Sequence, residues 1–282
     1  MTLLVFGKTG QVATELARLA PDAIFLGRDD ADLSNPAACV AAIKRHAPTG
    51  VINAAAFTAV DKAEDEEPLA TVINGEAPGA MARACAELDI PFVHISTDYV
   101  FDGSGQDPWR PDDQTAPIGA YGRSKRAGED AVRAAGGTHV IMRTSWVFSA
   151  HGGNFVKTML RLGAERDALR IVSDQIGGPT GAADIATTAL RALDTIATKP
   201  DLYGTYHYSG APDTSWAGFA KAIFDEAGLS VAVEEIPTTD YPTPAARPLN
   251  SRMDCSSLEA AFGIERPDWR AGLKDVIKEL NA

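Results

Sequence analysis

A hydroxyl at the end of an apolar run, followed by a tyrosine and a lysine four residues apart, is equipment for moving a proton to or from a carbonyl oxygen. The chain holds this set between Ile90 and Lys125. The run Ile90-Pro91-Phe92-Val93-His94-Ile95 passes directly into Ser96-Thr97-Asp98-Tyr99-Val100-Phe101. A loop rich in Gly, Pro and Asp follows, then Tyr121-Gly122-Arg123-Ser124-Lys125 at the head of a predicted helix. A free phenol titrates at about 10, and a fixed cation nearby favours the phenolate. Residues four apart share a helix face, so Lys125 is placed to supply that cation to Tyr121. The hydroxyl of Thr97 is placed to stabilise the same oxygen. Tyr121, Lys125 and Thr97 are therefore the candidate catalytic residues.

These residues must be positioned by strands and helices, and the sequence alternates the two. Leu3-Leu4-Val5-Phe6 reads as a buried strand ended by Gly7. Gly7-Lys8-Thr9-Gly10-Gln11-Val12-Ala13 then opens a helical pattern through Ala20. Strand, glycine turn and helix is the setting in which such glycines bind a dinucleotide pyrophosphate. Gly7 permits the tight turn, Gly10 lets the backbone approach the phosphates, and the amides of the helix start face the anion. Ala13 stands where a third glycine is usual, and its small side chain still allows close helix–strand packing.

Ala23-Ile24-Phe25-Leu26 reads as the second strand, followed by Gly27-Arg28-Asp29. An acid at this strand end holds the adenosine ribose of such cofactors, and an Arg accommodates a 2′-phosphate. Arg28 tilts the reading toward NADPH. Asp32 is expected near the adenine, with Ser34 or Asn35 capping a helix that starts at Pro36. Gly50 to Ala56 is a third strand with small residues at its end, which would let a cofactor lie against it. A long helix is expected from about Ala70 to Leu88, carrying Asn74 on one face. Ile90–Ile95 is the fourth strand and Thr138–Arg143 the fifth, extended by Thr144-Ser145-Trp146-Val147-Phe148. Gly152-Gly153-Asn154 opens a helix through Gly163. Shorter segments follow: a strand-like piece over 170–175, a helix over Asp184–Ala197, a strand over Tyr203–Ser209, a helix over Ser215–Ala227 and a strand over Val231–Ile236. Tyr241 to Pro248 is an extended loop, and Trp269–Leu280 is a closing helix.

Alternating strands and helices imply an α/β, Rossmann-type doubly wound parallel sheet with a smaller carboxyl-terminal substrate lobe. The expected division is a dinucleotide-binding domain over 1–150, completed by part of 170–210, and a mainly substrate-binding lobe over 151–282. Ligands of such sheets bind at the carboxyl ends of the strands. Gly7, Arg28, Ala56 and Thr97 all fall at such ends.

The chain has 282 residues, 45% of them hydrophobic and 23% charged, enough to bury a full core. The net charge of −12 argues against nucleic acid and anionic membranes as partners. No apolar run reaches the roughly 18 residues of a membrane helix. The start, Met1-Thr2-Leu3-Leu4, lacks the marks of a secretory signal. Three widely spaced cysteines form neither a disulfide framework nor a zinc pattern, so the expected location is cytoplasmic. His94 and His139, in apolar strands, read as packing residues. Cys39 and Cys85 read as buried small groups, and Trp216, Phe219 and Phe224 as core.

With these residues in place, the chain resembles the extended short-chain dehydrogenase/reductase family, and within it the branch acting on dTDP-4-dehydro sugars. The resemblance covers nearly the whole length. It rests on Phe6-Gly7-Lys8-Thr9-Gly10-Gln11-Val12, Asn53-Ala54-Ala55-Ala56, Ser96-Thr97-Asp98-Tyr99-Val100-Phe101, Tyr121-Gly122-Arg123-Ser124-Lys125, Arg143-Thr144-Ser145-Trp146-Val147 and Pro242-Thr243-Pro244-Ala245-Ala246-Arg247-Pro248. It implies reduction of the 4-keto group of dTDP-4-dehydro-L-rhamnose to dTDP-L-rhamnose by NADPH or NADH. It makes Tyr121 the proton donor to the C4 oxygen and gives Lys125 the nicotinamide ribose. Thr97 tunes the Tyr and touches the sugar with Asp98, and Trp146 lines the sugar site. Gly10, Gln11 and Val12 bind the pyrophosphate region, Asp32 and Leu33 the adenosine, and Ala56, Phe57 and Thr58 the nicotinamide side.

Two departures from the family pattern matter. Gly27 stands where the family carries its ribose-binding acid, which leaves NAD versus NADP open. Some relatives dimerise through Mg²⁺ held by glutamates. Glu15 and Glu279 match that arrangement, but Ala183 replaces the middle glutamate, which counts against a metal-linked dimer; monomer and homodimer both stay open. Arg247 and Arg252 suit bidentate contact with the substrate pyrophosphate, with Asn154 and Lys157 sharing the anion. An epimerase or dehydratase that retains its cofactor is the enzymatic alternative. A non-catalytic subunit, as in relatives that bind methionine adenosyltransferase, is the other; the intact Thr97, Tyr121 and Lys125 count against it.

Overall fold

The computed structural model describes residues 2–282; Met1, part of the start read as lacking a secretory signal, lies outside them. Short apolar runs become strands that are buried on both faces, as a parallel sheet covered by helices requires. β1 (Leu3–Phe6) enters α1 (Gln11–Leu19); β2 (Ile24–Leu26) is followed by α2 (Pro36–His46) and β3 (Gly50–Asn53). Asn35 caps α2, its side chain accepting from Ala38 N, with Pro36 in the first helical position. Next come α3 (Val60–Ala63) and α4 (Glu67–Thr71). A wide π turn over Val72–Glu76 then joins α4 to α5 (Ala77–Glu87). β4 (Phe92–Thr97), α6 (Ala120–Ala134) and β5 (His139–Thr144) complete the first half.

The second half begins with β6 (Val147–Phe148), α7 (Phe155–Glu165), β7 (Ala168–Val172), β8 (Ile176–Gly177) and β9 (Thr180–Gly181). It continues through α8 (Ala182–Thr198), β10 (Gly204–His207), β11 (Thr214–Ser215), α9 (Trp216–Ala227) and β12 (Ala232–Ile236). β13 (Asn250–Ser251), α10 (Ser256–Phe262) and α11 (Trp269–Leu280) close the chain. The central sheet has six strands in the order β10-β5-β4-β3-β1-β2, and all its pairings are parallel. This is a Rossmann-type α/β fold. The chain leaves β1 for β2 on one side and returns to β3 on the other, so the strand order switches at β1. A crevice at the carboxyl ends of β1 and β3 is the topological consequence.

One apolar core lies between the sheet and α1 and α8, around Val5, Ile52, Val93, Val140, Ile185 and Ala189. A second lies on the opposite face, around Leu4, Ile43, Val51, Met81 and Ile141. A third gathers Phe148, Met159, Leu169, Phe219, Phe224 and Trp269 from the carboxyl-terminal half. There β12 pairs in parallel with β7, while β8 sits between β11 and β13.

The helix expected over Ala70–Leu88 is present but not regular. Its middle widens at Val72–Glu76, where the carbonyl of Asn74 meets α6. A Cβ on Gly128 would stand 2.1 Å from Asn74 O, and one on Gly79 would stand 2.6 Å from Ala131 Cβ. Glycine at these two positions is what lets the two helices touch backbone to backbone. The contact ties the helix that carries Tyr121 and Lys125 to the loop after β3.

Candidate active site

The carboxyl ends of β1, β3, β4 and β5 converge, and each delivers its part of the site. After β1, Gly7 adopts φ +113, open in practice to glycine alone, and a Cβ there would lie 3.3 Å from the Ala54 carbonyl carbon. Gly10 precedes α1 with no side-chain cap on the helix, and no atom lies within 4 Å of where its Cβ would be. The backbone at Gly10 can thus be approached closely beside the first amides of α1, the arrangement that receives a phosphate. Val12 is buried beneath the turn. Gln11 Oε1 accepts hydrogen bonds from Ser149 Oγ and Asn154 Nδ2, both at 2.9 Å. Asn154 also caps α7 through Lys157 N. The structure thus places Asn154 with the glycine turn.

After β2, Gly27 N donates to Asp30 Oδ2 at 2.9 Å, so Asp30 serves the turn. Arg28 is exposed and forms no ion pair among the described residues. Asp32 accepts from Ser34 N beside the buried Leu33. After β3, the backbone of Phe57 is held at both its N–H and its C=O by the Asn74 carboxamide, at 2.8 and 3.0 Å. The same amide donates to Ser124 Oγ on α6. Ala56 is half-buried and Thr58 exposed on this loop. Glycine turn, uncapped helix and free guanidinium together fit a dinucleotide.

At the end of β4, Thr97 Oγ1 donates to Asp98 Oδ1 at 3.0 Å, while Asp98 Oδ2 is buried with no hydrogen-bond partner. Burial raises the Asp98 carboxyl to about 6, against hydrogen bonding from Thr97. Tyr121 packs edge-on against Tyr99, with ring centroids 5.5 Å apart. Burial and the Asp98 charge hold the Tyr121 phenol above its ordinary range, with Thr97 pulling the other way. The expected lowering by Lys125 is therefore not what the geometry delivers. Lys125 Nζ donates to Ile95 O at 2.7 Å and lies 3.3 Å from His94 Nε2. Burial brings its amine down to about 8, against the Glu129 charge.

Glu129, one turn beyond Lys125, accepts from Arg143 Nε at 2.8 Å and Nη2 at 2.6 Å, and from Ser96 Oγ at 2.7 Å. Arg143 in turn donates to Pro111 O in the loop between β4 and α6. This buried pair anchors α6 to β5.

Trp146, just past β5, is held at φ +49, a left-handed conformation that a bulky residue rarely adopts. Its indole stacks on Trp216 with centroids 3.7 Å apart and planes at 12°. Trp216 was expected in the core with Phe219 and Phe224. Those two are buried, whereas Trp216 is half-exposed and forms a wall with Trp146. Arg247 reaches across from the carboxyl-terminal loop to Asp61 on α3, with Nη2 to Oδ2 at 3.0 Å. Arg252 is occupied with Asn250 Oδ1 at 3.1 Å. Glu15 and Glu279 approach His151 Nε2 at 3.2 and 3.6 Å. Among the described residues no cluster of three His, Cys, Asp or Glu side chains is arranged to hold a metal.

Sequence reasoning missed Asn53, His94 and Trp216 as neighbours of the site. Polar residues inside apolar runs at strand ends were the available signal for the first two. Trp216 offered none, because its spacing matches that of core residues.

Comparison with known proteins shows the family. The family model described as RmlD substrate binding domain matches residues 1–282. The chain is 43% identical to a dTDP-4-dehydrorhamnose reductase of Shigella flexneri, over 99% of this chain and 98% of that protein. The crystal structure of a dTDP-4-dehydrorhamnose reductase from Clostridium acetobutylicum superposes with a TM-score of 0.94 at 36% identity, covering 100% of both chains. One from Bacillus anthracis, solved in complex with NADP, superposes with a TM-score of 0.92 at 36% identity, over 99% of this chain and 100% of that one. By fold and by full-length likeness, the chain belongs to the dTDP-4-dehydrorhamnose reductase family.

Proposed function

We propose that this protein reduces the 4-keto group of dTDP-4-dehydro-L-rhamnose to dTDP-L-rhamnose, with Tyr121 donating the proton. The observation that carries the mechanism is the placement of Tyr121 beside Thr97 at the head of α6. Its phenol is held protonated by burial and by Asp98, within hydrogen-bond reach of Thr97 at the carboxyl end of β4. A reduction needs a proton donor, and a phenol O–H at the carboxyl end of the strands is a group that can supply one.

Gly7, Gly10, Gln11 and Val12 would seat the pyrophosphate of the dinucleotide, Asp32 and Leu33 its adenosine, and Ala56, Phe57 and Thr58 its nicotinamide side. When bound, that cofactor supplies the hydride. Lys125 would hold the nicotinamide ribose. Arg28, exposed and without an ion pair, favours NADPH through its 2′-phosphate. Tyr121 gives its proton to the C4 oxygen while Thr97 orients that hydroxyl. Asp98 and the Trp146 face bound the sugar. Arg247 and Arg252 take the pyrophosphate of the nucleotide, for which Arg247 must exchange its bond to Asp61 for the substrate. Asn154, bound to Gln11, is better placed to support the dinucleotide turn than to meet substrate. The sheet domain over 1–150 would carry the cofactor and the rest mainly the sugar nucleotide. The acidic charge and three buried free thiols suit a cytoplasmic monomer or homodimer that has no nucleic-acid or membrane partner.

The test follows NADPH and NADH absorbance with dTDP-4-dehydro-L-rhamnose. Stoichiometric cofactor loss with appearance of dTDP-L-rhamnose is expected. Tyr121→Phe should lower turnover by about 10²–10⁴-fold, the usual worth of a general acid, and leave cofactor binding nearly intact. Cofactor bound but not consumed would replace the reductase reading with an epimerase. Full turnover by the Phe variant would remove Tyr121 from the mechanism.

A further inference from the structure

We propose that Glu64 is a positioning residue for Tyr121: its carboxylate supplies, from a separate element, the amino-terminal cap that α6 lacks, and so fixes the turn that presents the phenol. The inference deepens the proposed function and rests on the reading of Tyr121 as the proton donor.

The first N–H groups of a helix have no partner within it, and a side chain on the residue just before the helix usually accepts from one of them. α6 starts at Ala120, and Gly119 before it has no side chain to offer. Ala120 is fully buried, so its N–H cannot turn to water instead. A buried N–H without a partner is costly. Glu64, one residue past α3, meets it: Oε1 accepts from Ala120 N at 2.9 Å. The glycine makes room for this contact, since a Cβ on Gly119 would stand 2.8 Å from that same oxygen. Gly119 is otherwise extended, at φ −127 and ψ 166, a conformation any residue adopts. Glycine there answers to the carboxylate and not to a bend in the chain.

Glu64 reaches α6 from a fixed base. Asp61, three residues earlier, accepts from Ala245 N at 3.2 Å and pairs with Arg247. Lys62 pairs with Glu66 at 3.0 Å. Ala63 is buried with Ala70 and Ala120 in a small apolar cluster against which Phe57 and Tyr121 pack. Beyond it, Glu67 spans the Arg123 guanidinium at 2.7 and 2.8 Å. The acidic segment therefore holds α6 on either side of Tyr121, at the residue before it and at the second residue after it. The third side is closed by Tyr99, whose carbonyl oxygen would stand 2.1 Å from a Cβ on Gly122. The phenol hydroxyl lies at the far end of a rigid ring, so a shift at the start of α6 is passed on to the proton donor. Misplacing a reacting group by about 1 Å can cost about 10²-fold in rate.

The experiment uses the full chain. Amide exchange at Ala120 is followed by NMR without cofactor. Values of kcat and KM are measured with NADPH and dTDP-4-dehydro-L-rhamnose, well below the Tm of each variant. Glu64→Gln removes the charge but keeps an acceptor oxygen, and should match wild type in both readouts. Glu64→Asp keeps the charge but withdraws it by one methylene. Glu64→Asp and Glu64→Ala should speed Ala120 exchange by about tenfold or more. Both should lower kcat by about tenfold or more and leave KM for NADPH nearly unchanged. If Glu64→Ala does not fold, Glu64→Asp carries the same test. Glu64→Ala/Gly119→Ser puts a capping hydroxyl where the lost carboxylate leaves room, and should restore both slow exchange and kcat. A role confined to stability would lower Tm and leave kcat unchanged, and that result would overturn the inference. So would a loss of kcat in Glu64→Gln, unchanged Ala120 exchange in Glu64→Ala and Glu64→Asp, or a serine variant that regains slow exchange without kcat. The exchange measurement needs no turnover, so the cap can fail or hold separately from the reductase assay.

Discussion

Glu129→Gln isolates what holds α6, the helix of Tyr121 and Lys125, in place. Glu129 and Arg143 are 0% and 2% exposed, and the guanidinium spans both carboxylate oxygens at 2.8 and 2.6 Å. Glutamine keeps the shape but removes the charge and turns an amide N–H toward one of these donors. Arg143 is left buried without its counter-charge, a change that costs about 3–5 kcal/mol. Unfolding entropy of about 2.1 cal/mol/K per residue amounts to about 0.6 kcal/mol/K over the 282 residues. The expected loss is therefore about 5–8 °C in Tm.

The pH dependence has a definite sign. Burial pushes the Glu129 carboxyl up, but Arg143, Ser96 and Arg133 together prevail and hold it below the ordinary range. Its contribution is complete above the unfolded value of about 4.3 and is lost as pH falls through the folded value. The gap between wild type and Glu129→Gln should thus be widest near neutrality and narrow below about pH 4. Glu129→Leu/Arg143→Met removes both charges and should be less destabilised than either single variant. Denaturation followed by circular dichroism at pH 7 and pH 4 measures all of this. The reasoning is refuted if Glu129→Gln costs less than about 1 kcal/mol, or if the two single losses simply add in the double variant.

Two further variants test the proposed role of Arg28 and the helix crossing. Arg28→Ala should raise KM for NADPH by about tenfold or more, the worth of one charge-assisted hydrogen bond, and leave KM for NADH nearly unchanged; steady-state kinetics with both cofactors decide it. Gly128→Ala places a methyl 2.1 Å from the Asn74 carbonyl oxygen, so the helices must part. A loss of about 1–3 kcal/mol is expected, read as a Tm lower by about 2–5 °C.

The parts of the fold that were legible in the sequence are those set by local chemistry. Leu3–Phe6 is apolar on both faces and ends at a glycine, and it is a buried strand. Trp269–Leu280 carries its helical period from end to end and is a helix with those bounds. What stayed hidden depends on partners far away in the chain. Nothing near Ala168–Val172 announces its pairing with Ala232–Ile236. Trp216 has the spacing of a core residue, and only the turn at Trp146 shows what it packs against. His94 reads as packing because its neighbours are apolar; its meaning comes from Lys125 on another element. Tyr121 and Lys125 were found from their spacing, yet the sign of the Tyr121 shift was not, because burial and Asp98 outweigh a cation whose amine points elsewhere.

The wide turn at Val72–Glu76 has a consequence for how this chain tolerates change in length. A π turn holds one residue more than an α turn. Deleting a single residue there would let the segment relax into regular α-helix, so the helix itself would lose nothing. Asn74 would swing by about 100°, the rotation per residue of a 3.6-residue turn, and would let go of both Phe57 and Ser124. An in-frame deletion that a helix would welcome would therefore unfasten the loop after β3 from α6. The surplus residue works as a spacer, and its loss should be read in activity before it is read in helix content.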